Sequence, residues 1–166
     1  MKNKPSPKES MRILNSREKK EINARIRDQW GCEIDKDFVF LLSNKDKLYI
    51  SDKDIALIDM DRLRVDNLGM YVATVDDKGV RLSIEGAQLL GPKAKKNIVT
   101  IPSHLVKDWF KGKDVDLASS EIGLGDSEGF VILKNKDDGD FLGCGKITGR
   151  GLLNFIPKAR RIAEDA

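Results

Sequence analysis

Four groups of residues in this chain have types that could do chemistry. The first is the glycine cluster around Lys146, in Phe-Leu-Gly-Cys-Gly-Lys-Ile (141–147) followed by Gly149. A nucleotide cradle needs GxGxxG, or GxxxxGK followed by Ser or Thr. Gly143, Gly145 and Gly149 miss the first spacing by one, and Lys146 is followed by Ile147. The glycines therefore read as places where another backbone or a ligand comes close to a strand. The second group is Ser103-His104. Neighbours on a helix point in different directions, so they do not make a nucleophile–base pair. His104 is expected at the surface or in a cap, and as the sole histidine it weakens any multi-histidine metal site. The third group is Asp76-Asp77, Asp137-Asp138 and Asp140, which read as solvated turn formers, because no cleft that would perturb their pKa values is visible. The fourth is Cys32 and Cys144, far apart and outside any CxxC spacing, so neither a disulfide nor a zinc site is expected. These residues predict no catalytic group, no metal and no cofactor, and hence a protein that is not an enzyme.

The elements that would position these groups follow from periodicity and turn chemistry. Asn15 with Glu18 has capping-box spacing, and Ile22, Ile26 and Trp30 make one stripe of a first helix, stopped by Gly31. Phe38–Leu42 and Leu48–Ile50 read as strands around a turn at 43–47. Ser51 is placed to cap a second helix, with Ile55, Leu57, Ile58 and Leu63 on its buried side. Leu68–Val75 and Val80–Leu82 read as a hairpin, and Ser83 caps a short helix through Leu90. Residues 91–96, with Gly91-Pro92, read as a linker.

Beyond it, Asn97–Pro102 reads as a strand and Ser103–Lys111 as a helix stopped by Gly112. Leu105 with Trp109 and Val106 with Phe110 form its apolar face. Further strands are predicted at Asp114–Leu117, Gly129–Lys134 and Phe141–Ile147, with a closing run at Leu152–Ile156. The 119–129 loop, rich in glycine and acid, is expected to be mobile. Trp109, Phe110, Phe130 and Phe141 could stack on bases. The helical spacing of Trp109 and Phe110 favours core packing for those two.

The chain has 166 residues, 34% of them charged, and a formal net charge of +3, so total charge alone does not point to nucleic acid. Its distribution says more: the first 27 residues are basic, 114–140 leans acidic, and the end turns basic again. No apolar run approaches the length of a membrane span. Met1–Ser10 is polar and carries Pro5 and Pro7, unlike a signal peptide. A reducing, cytoplasmic setting, no membrane association and a monomer are expected.

The order from residue 97 onward resembles a PUA domain, a small RNA-binding pseudo-barrel. The similar runs are Trp-Phe-Lys-Gly (109–112), Gly-Phe-Val-Ile-Leu (129–133) and Phe-Leu-Gly-Cys-Gly-Lys (141–146). The first half is similar to the N-terminal domain of the Nip-seven ribosome-biogenesis family. Its similar runs are Lys-Leu-Tyr-Ile-Ser-Asp-Lys (47–53), Asn-Leu-Gly-Met-Tyr-Val-Ala-Thr (67–74) and the 80–92 run ending Leu-Leu-Gly-Pro. A related resemblance is to the PUA-like tail of rRNA cytosine methyltransferases of the Nol/Nop/Sun class. The short prokaryotic style suggests an archaeal member.

The chain is read as α/β (α+β): its polar start makes a flexible basic lead at 1–11, in which it departs from the family, and the resemblance implies an N-terminal mixed α/β domain at 12–92 and a PUA pseudo-β-barrel at 93–166. It implies RNA binding in ribosome biogenesis or rRNA processing, with rRNA or pre-rRNA as partner. It places RNA contact on Lys146, Arg150, Lys158, Arg160 and Arg161. These cations alternate with apolar residues such as Phe155 and Ile156, and Lys146 and Arg150 flank a glycine turn that a phosphate could approach. Two rival readings are an adaptor that contacts ribosome-assembly or exosome proteins, and an accessory subunit of an RNA-modifying enzyme.

Overall fold

The computed structural model describes residues 10–57 and 68–166. Most of the predicted basic lead, and Ile58 and Leu63 of the predicted second helix, lie outside the described residues.

The first helix, α1 (Ser16–Trp30), begins with the predicted capping box. The Asn15 side chain accepts the Arg17 and Glu18 N–H groups at 3.0 Å, and the Glu18 carboxylate accepts the Asn15 N–H at 2.9 Å. That backbone hydrogen bond, helped by the Arg12 guanidinium, holds the Glu18 carboxyl below its usual range. Ile22, Ile26 and Trp30 are buried as one stripe, and Gly31 closes the helix in the left-handed region at φ 67°.

Five strands form a meander whose spatial order is the chain order: β1 (Met11–Ile13), β2 (Val39–Ser43), β3 (Lys47–Ser51), β4 (Met70–Asp76) and β5 (Gly79–Leu82), all antiparallel. Strand β1 begins at Met11, the last residue of the predicted flexible lead. Three residues are too few to show alternation, and the strand exists because Met11–Ile13 pairs with Leu41–Ser43. After β3, Lys53–Leu57 is a 3-10 turn where an α-helix is predicted. The helix α2 (Ile84–Leu90) has Ser83 as its N-cap, whose hydroxyl accepts the Gly86 N–H at 2.9 Å. Gly86 lets α2 lie directly on β4, since a Cβ there would collide with the Val72 carbonyl.

The predicted linker is a packed 3-10 turn over Gly91–Lys93. Gly91 sits under the Phe141 ring, and the Lys95 N–H donates to the Trp30 carbonyl at 2.8 Å. It leads to a four-stranded sheet, β6 (Ile98–Ile101), β7 (Phe130–Asn135), β8 (Phe141–Thr148) and β9 (Gly151–Asn154), in that spatial order. The β6–β7 pair is parallel and the others are antiparallel. A parallel pair needs a long crossover, which is supplied by α3 (Ser103–Phe110) and residues 111–129.

Within that crossover, the predicted strand at 114–117 shrinks to one bridge, Val115 with Leu152. Asp116 turns the chain instead, its carboxylate accepting the Ala118 N–H at 2.9 Å. The loop predicted to be mobile is pinned: Gly123 exchanges both backbone hydrogen bonds with Thr100, Ile122 is buried, and the Glu128 N–H donates to the Asn97 side chain at 3.1 Å. Its glycines and acids suggest freedom, but Ile122 anchors it by burial.

Two apolar cores lie on the two faces of the second sheet. Trp109, Val99, Ile101, Val131, Leu133, Leu152 and Ile156 fill one. The other joins the first sheet and α1 to Ile132 and Cys144 on the opposite face, with Phe130 and Phe141 packed against it. The chain is thus mixed α/β, with its second sheet covered on both faces.

Candidate nucleic-acid interface

The five cations predicted to meet RNA sit on two pieces of chain. Lys146 is on β8, opposite Phe130 of β7 and Leu153 of β9, half-buried, with its Nζ 5.0 Å from the centre of the Phe130 ring. Arg150 is exposed in the tight turn between β8 and β9, where its N–H donates to the Thr148 hydroxyl at 3.2 Å. Lys158, Arg160 and Arg161 follow on the tail, in and just after a 3-10 turn over Lys158–Arg160, and all three are exposed.

The two tail arginines are engaged within the protein. Arg160 donates to the Glu85 carboxylate on α2 at 2.6 Å. Burial pushes the Glu85 carboxyl up, but the hydrogen bond and charge of Arg160 with local backbone and Ser83 donors outweigh it, leaving the group below the usual carboxylate range. Arg161 lies against Gly112, and its Nε–H donates to the Ile156 carbonyl at 3.0 Å. Any Cβ at position 112 would displace this guanidinium. Neither side-chain partner is visible in sequence spacing, because Glu85 and Gly112 come from distant segments.

Ring contacts link the two pieces. Phe130 and Phe155 have centroids 5.9 Å apart at 50°. Arg81 of β5, a residue that composition and spacing do not single out, lies with its Cζ 5.0 Å from the centre of the Phe155 ring.

The other chemistry candidates fall as follows. The Cβ positions of Gly143 and Gly145 face the Trp109 indole, at 4.0 Å from its Nε1 and 3.0 Å from its Cη2 respectively. The close approach is therefore made by the protein's own core. Trp109 is fully buried and its Nε1–H donates to the Leu142 carbonyl at 3.2 Å. His104 is exposed, with Nε2 3.5 Å from a Glu121 carboxylate oxygen. Asp137 accepts the Ser103 N–H at 2.9 Å, and its bonds to Ser103 hold its carboxyl below the usual range. Asp138 accepts from the Asn135 amide at 2.7 Å and serves the turn. Cys32 and Cys144 are both buried free thiols, and burial pushes Cys144 up to about 12. Among the described residues no group of three or more His, Cys, Asp or Glu could hold a metal ion, and no helix is long and apolar enough to cross a membrane.

Residues 96–162 match the family described as the methyltransferase RsmF PUA domain. A ribosomal RNA small subunit methyltransferase F of Vibrio parahaemolyticus is 24% identical over 144 residues, which are 87% of this chain and 29% of that protein. The enzyme of the same name from Aeromonas salmonicida is 32% identical over 97 residues, 58% of this chain and 19% of that protein. The chain thus spans less than a third of the length of these relatives.

Among solved structures, a conserved PUA domain protein from Thermoplasma acidophilum superimposes with a TM-score of 0.62 at 14% identity, over 91% of this chain and 97% of that one. A PUA domain from Aeropyrum pernix K1 gives 0.58 at 11% identity, over 89% and 85%. The fold is that of PUA-domain proteins. The expectation that the chain is not an enzyme is corrected by the relatives, which are named as methyltransferases. That expectation rested on missing signatures within this chain, and such signatures say nothing about the other two-thirds or more of the relatives' length.

Proposed function

We propose that this chain holds RNA for rRNA processing, in the setting of a ribosomal RNA methyltransferase. The observation that carries this reading is the match of residues 96–162 to the PUA domain of such an enzyme. Of the resemblances in the sequence, the methyltransferase tail is therefore the one carried forward. In this reading residues 12–92 form the N-terminal α/β unit and 93–166 the PUA unit that meets RNA.

Lys146, Arg150, Lys158, Arg160 and Arg161 meet the phosphate backbone. Arg150 and Lys158 are exposed cations with no carboxylate partner among the described residues, so they are available at once. Arg160 must exchange Glu85 for phosphate, which lowers its net contribution.

The test is the salt dependence of RNA binding. Each phosphate contact on a single strand contributes about −0.7 to the slope of log affinity against log salt, so five contacts give about −3.5. The variant Lys158→Ala/Arg160→Ala/Arg161→Ala should be shallower by up to about 2. An unchanged slope would remove the tail from the interface. Absence of binding by the wild type would end the reading.

A further inference from the structure

Arg81, Phe155, Phe130 and Lys146 stand in one continuous row. Arg81 Cζ is 5.0 Å from the Phe155 centroid, the two rings are 5.9 Å apart, and Lys146 Nζ is 5.0 Å from the Phe130 centroid. The row crosses the seam of the molecule: Arg81 belongs to the edge strand β5 of the first sheet, and the other three belong to the second half. All four residues are partly exposed.

Most of the described arginines are engaged within the protein. Arg12, Arg17 and Arg27 bind Glu18, Glu21 and Glu33, Arg25 binds the Asp76 carbonyl, and Arg160 and Arg161 are engaged as described. Among the described residues, the Arg81 guanidinium has neither a carboxylate nor a hydrogen-bond acceptor, although it is partly buried. The Lys146 ammonium is in the same position. Partly desolvated cations with open donors cost free energy unless something pairs with them. They suit a ligand that brings a π-face and a negative charge together.

We infer that this row seats one unpaired RNA base with its adjoining phosphates, an inference that rests on the RNA-binding reading above. The base stacks on the Arg81 guanidinium in line with Phe155, and Arg81 and Lys146 give their free donors to phosphate. Duplex RNA cannot present a base this way, so the seat selects single strands, loops or bulges. Phe130 is backed by the β4–β5 turn, since a Cβ at Gly79 would come within 3.3 Å of its ring. The aromatic pair is thereby held in place before a ligand arrives.

The test uses the full chain and two labelled probes: a single-stranded oligouridylate and a strand of the same length made of abasic residues. Fluorescence anisotropy gives both affinities for the wild type, Arg81→Lys and Phe155→Leu. The first variant keeps the charge and loses the plane; the second keeps apolar bulk and loses the ring. The wild type should prefer the oligouridylate by at least about fivefold, the lower end of what one stacked base contributes. Both variants should lose that preference, and Phe155→Leu, which touches no phosphate donor, should bind the abasic strand as the wild type does.

Equal wild-type affinity for the two probes would overturn the base seat and leave backbone binding standing. Binding of neither probe would overturn the wider RNA reading as well. A row that only joins the two sheets would show a lowered melting temperature in Arg81→Lys with the base preference intact, and that outcome also overturns the seat.

Discussion

On one face of β8, Gly143 and Gly145 lie against the Trp109 indole; on the other, Cys144 and Lys146 face Ile132 and Phe130 and, beyond them, the first sheet. The Trp109 face is closed by a fully buried ring that makes its hydrogen bond internally. The opposite face is dry at Cys144, 2% exposed, and opens toward solvent two residues later at Lys146. One strand therefore serves a sealed core on one side and grades into a cationic surface on the other. The difference shows where substitutions should affect stability and where they should affect binding.

Trp109→Ala breaks the closed face and should have the largest effect. Truncating a fully buried tryptophan costs about 3–5 kcal/mol, read as a lower urea midpoint. If the two faces are energetically distinct, Arg81→Lys on the open side should move that midpoint far less.

Cys144 sharpens the comparison through pH. Its folded-state pKa is raised, so the folded protein keeps the thiol proton where the unfolded chain has lost it. The associated stability is complete below the ordinary thiol value near 9.0 and is lost as pH rises toward about 12. By pH 11 the wild type should have lost on the order of 2 kcal/mol more than Cys144→Ala, measured by denaturant titration at each pH.

The smallest expected effect concerns the tail. Glu85→Gln removes the acid that occupies Arg160. Because the pair is substantially exposed, the cost in stability should be only about 0.5 kcal/mol. The freed Arg160 should raise RNA affinity at a fixed salt concentration, because it no longer has to give up Glu85 to meet phosphate. The depressed Glu85 pKa gives the pair a defined window: its contribution is present above the unfolded carboxylate value near 4.5 and disappears as pH falls through the lower folded value. Thermal unfolding of wild type and Glu85→Gln should converge below that window.

The features that were legible in sequence are those whose causes lie within a few residues. The Asn15–Glu18 box, the Ile22–Ile26–Trp30 stripe, the Ser83 cap and the apolar face of α3 each repeat a local rule that the chain obeys. What stayed hidden depends on distant partners. Strand β1 needs β2 to exist, the 119–129 loop is held by Thr100 and Asn97, and the 91–96 passage is held by Phe141 and Trp30. The candidate site shows the same division. Lys146 and Phe155 could be singled out near the end of the chain, whereas Arg81 is 65 residues before Lys146 and is joined to it only by the pairing of the rings.

Asn97 shows how closely the halves depend on each other. It adopts φ 57°, a left-handed conformation that asparagine tolerates better than most residues. From there its amide donates to the Gln29 carbonyl at the end of α1, its side-chain oxygen accepts from Glu128, and its backbone carbonyl accepts from Ile132 at the start of the parallel pair. A single residue thus acts as a keystone between the first helix, the crossover and the second sheet. Opening either half would break hydrogen bonds that Asn97 makes to the other.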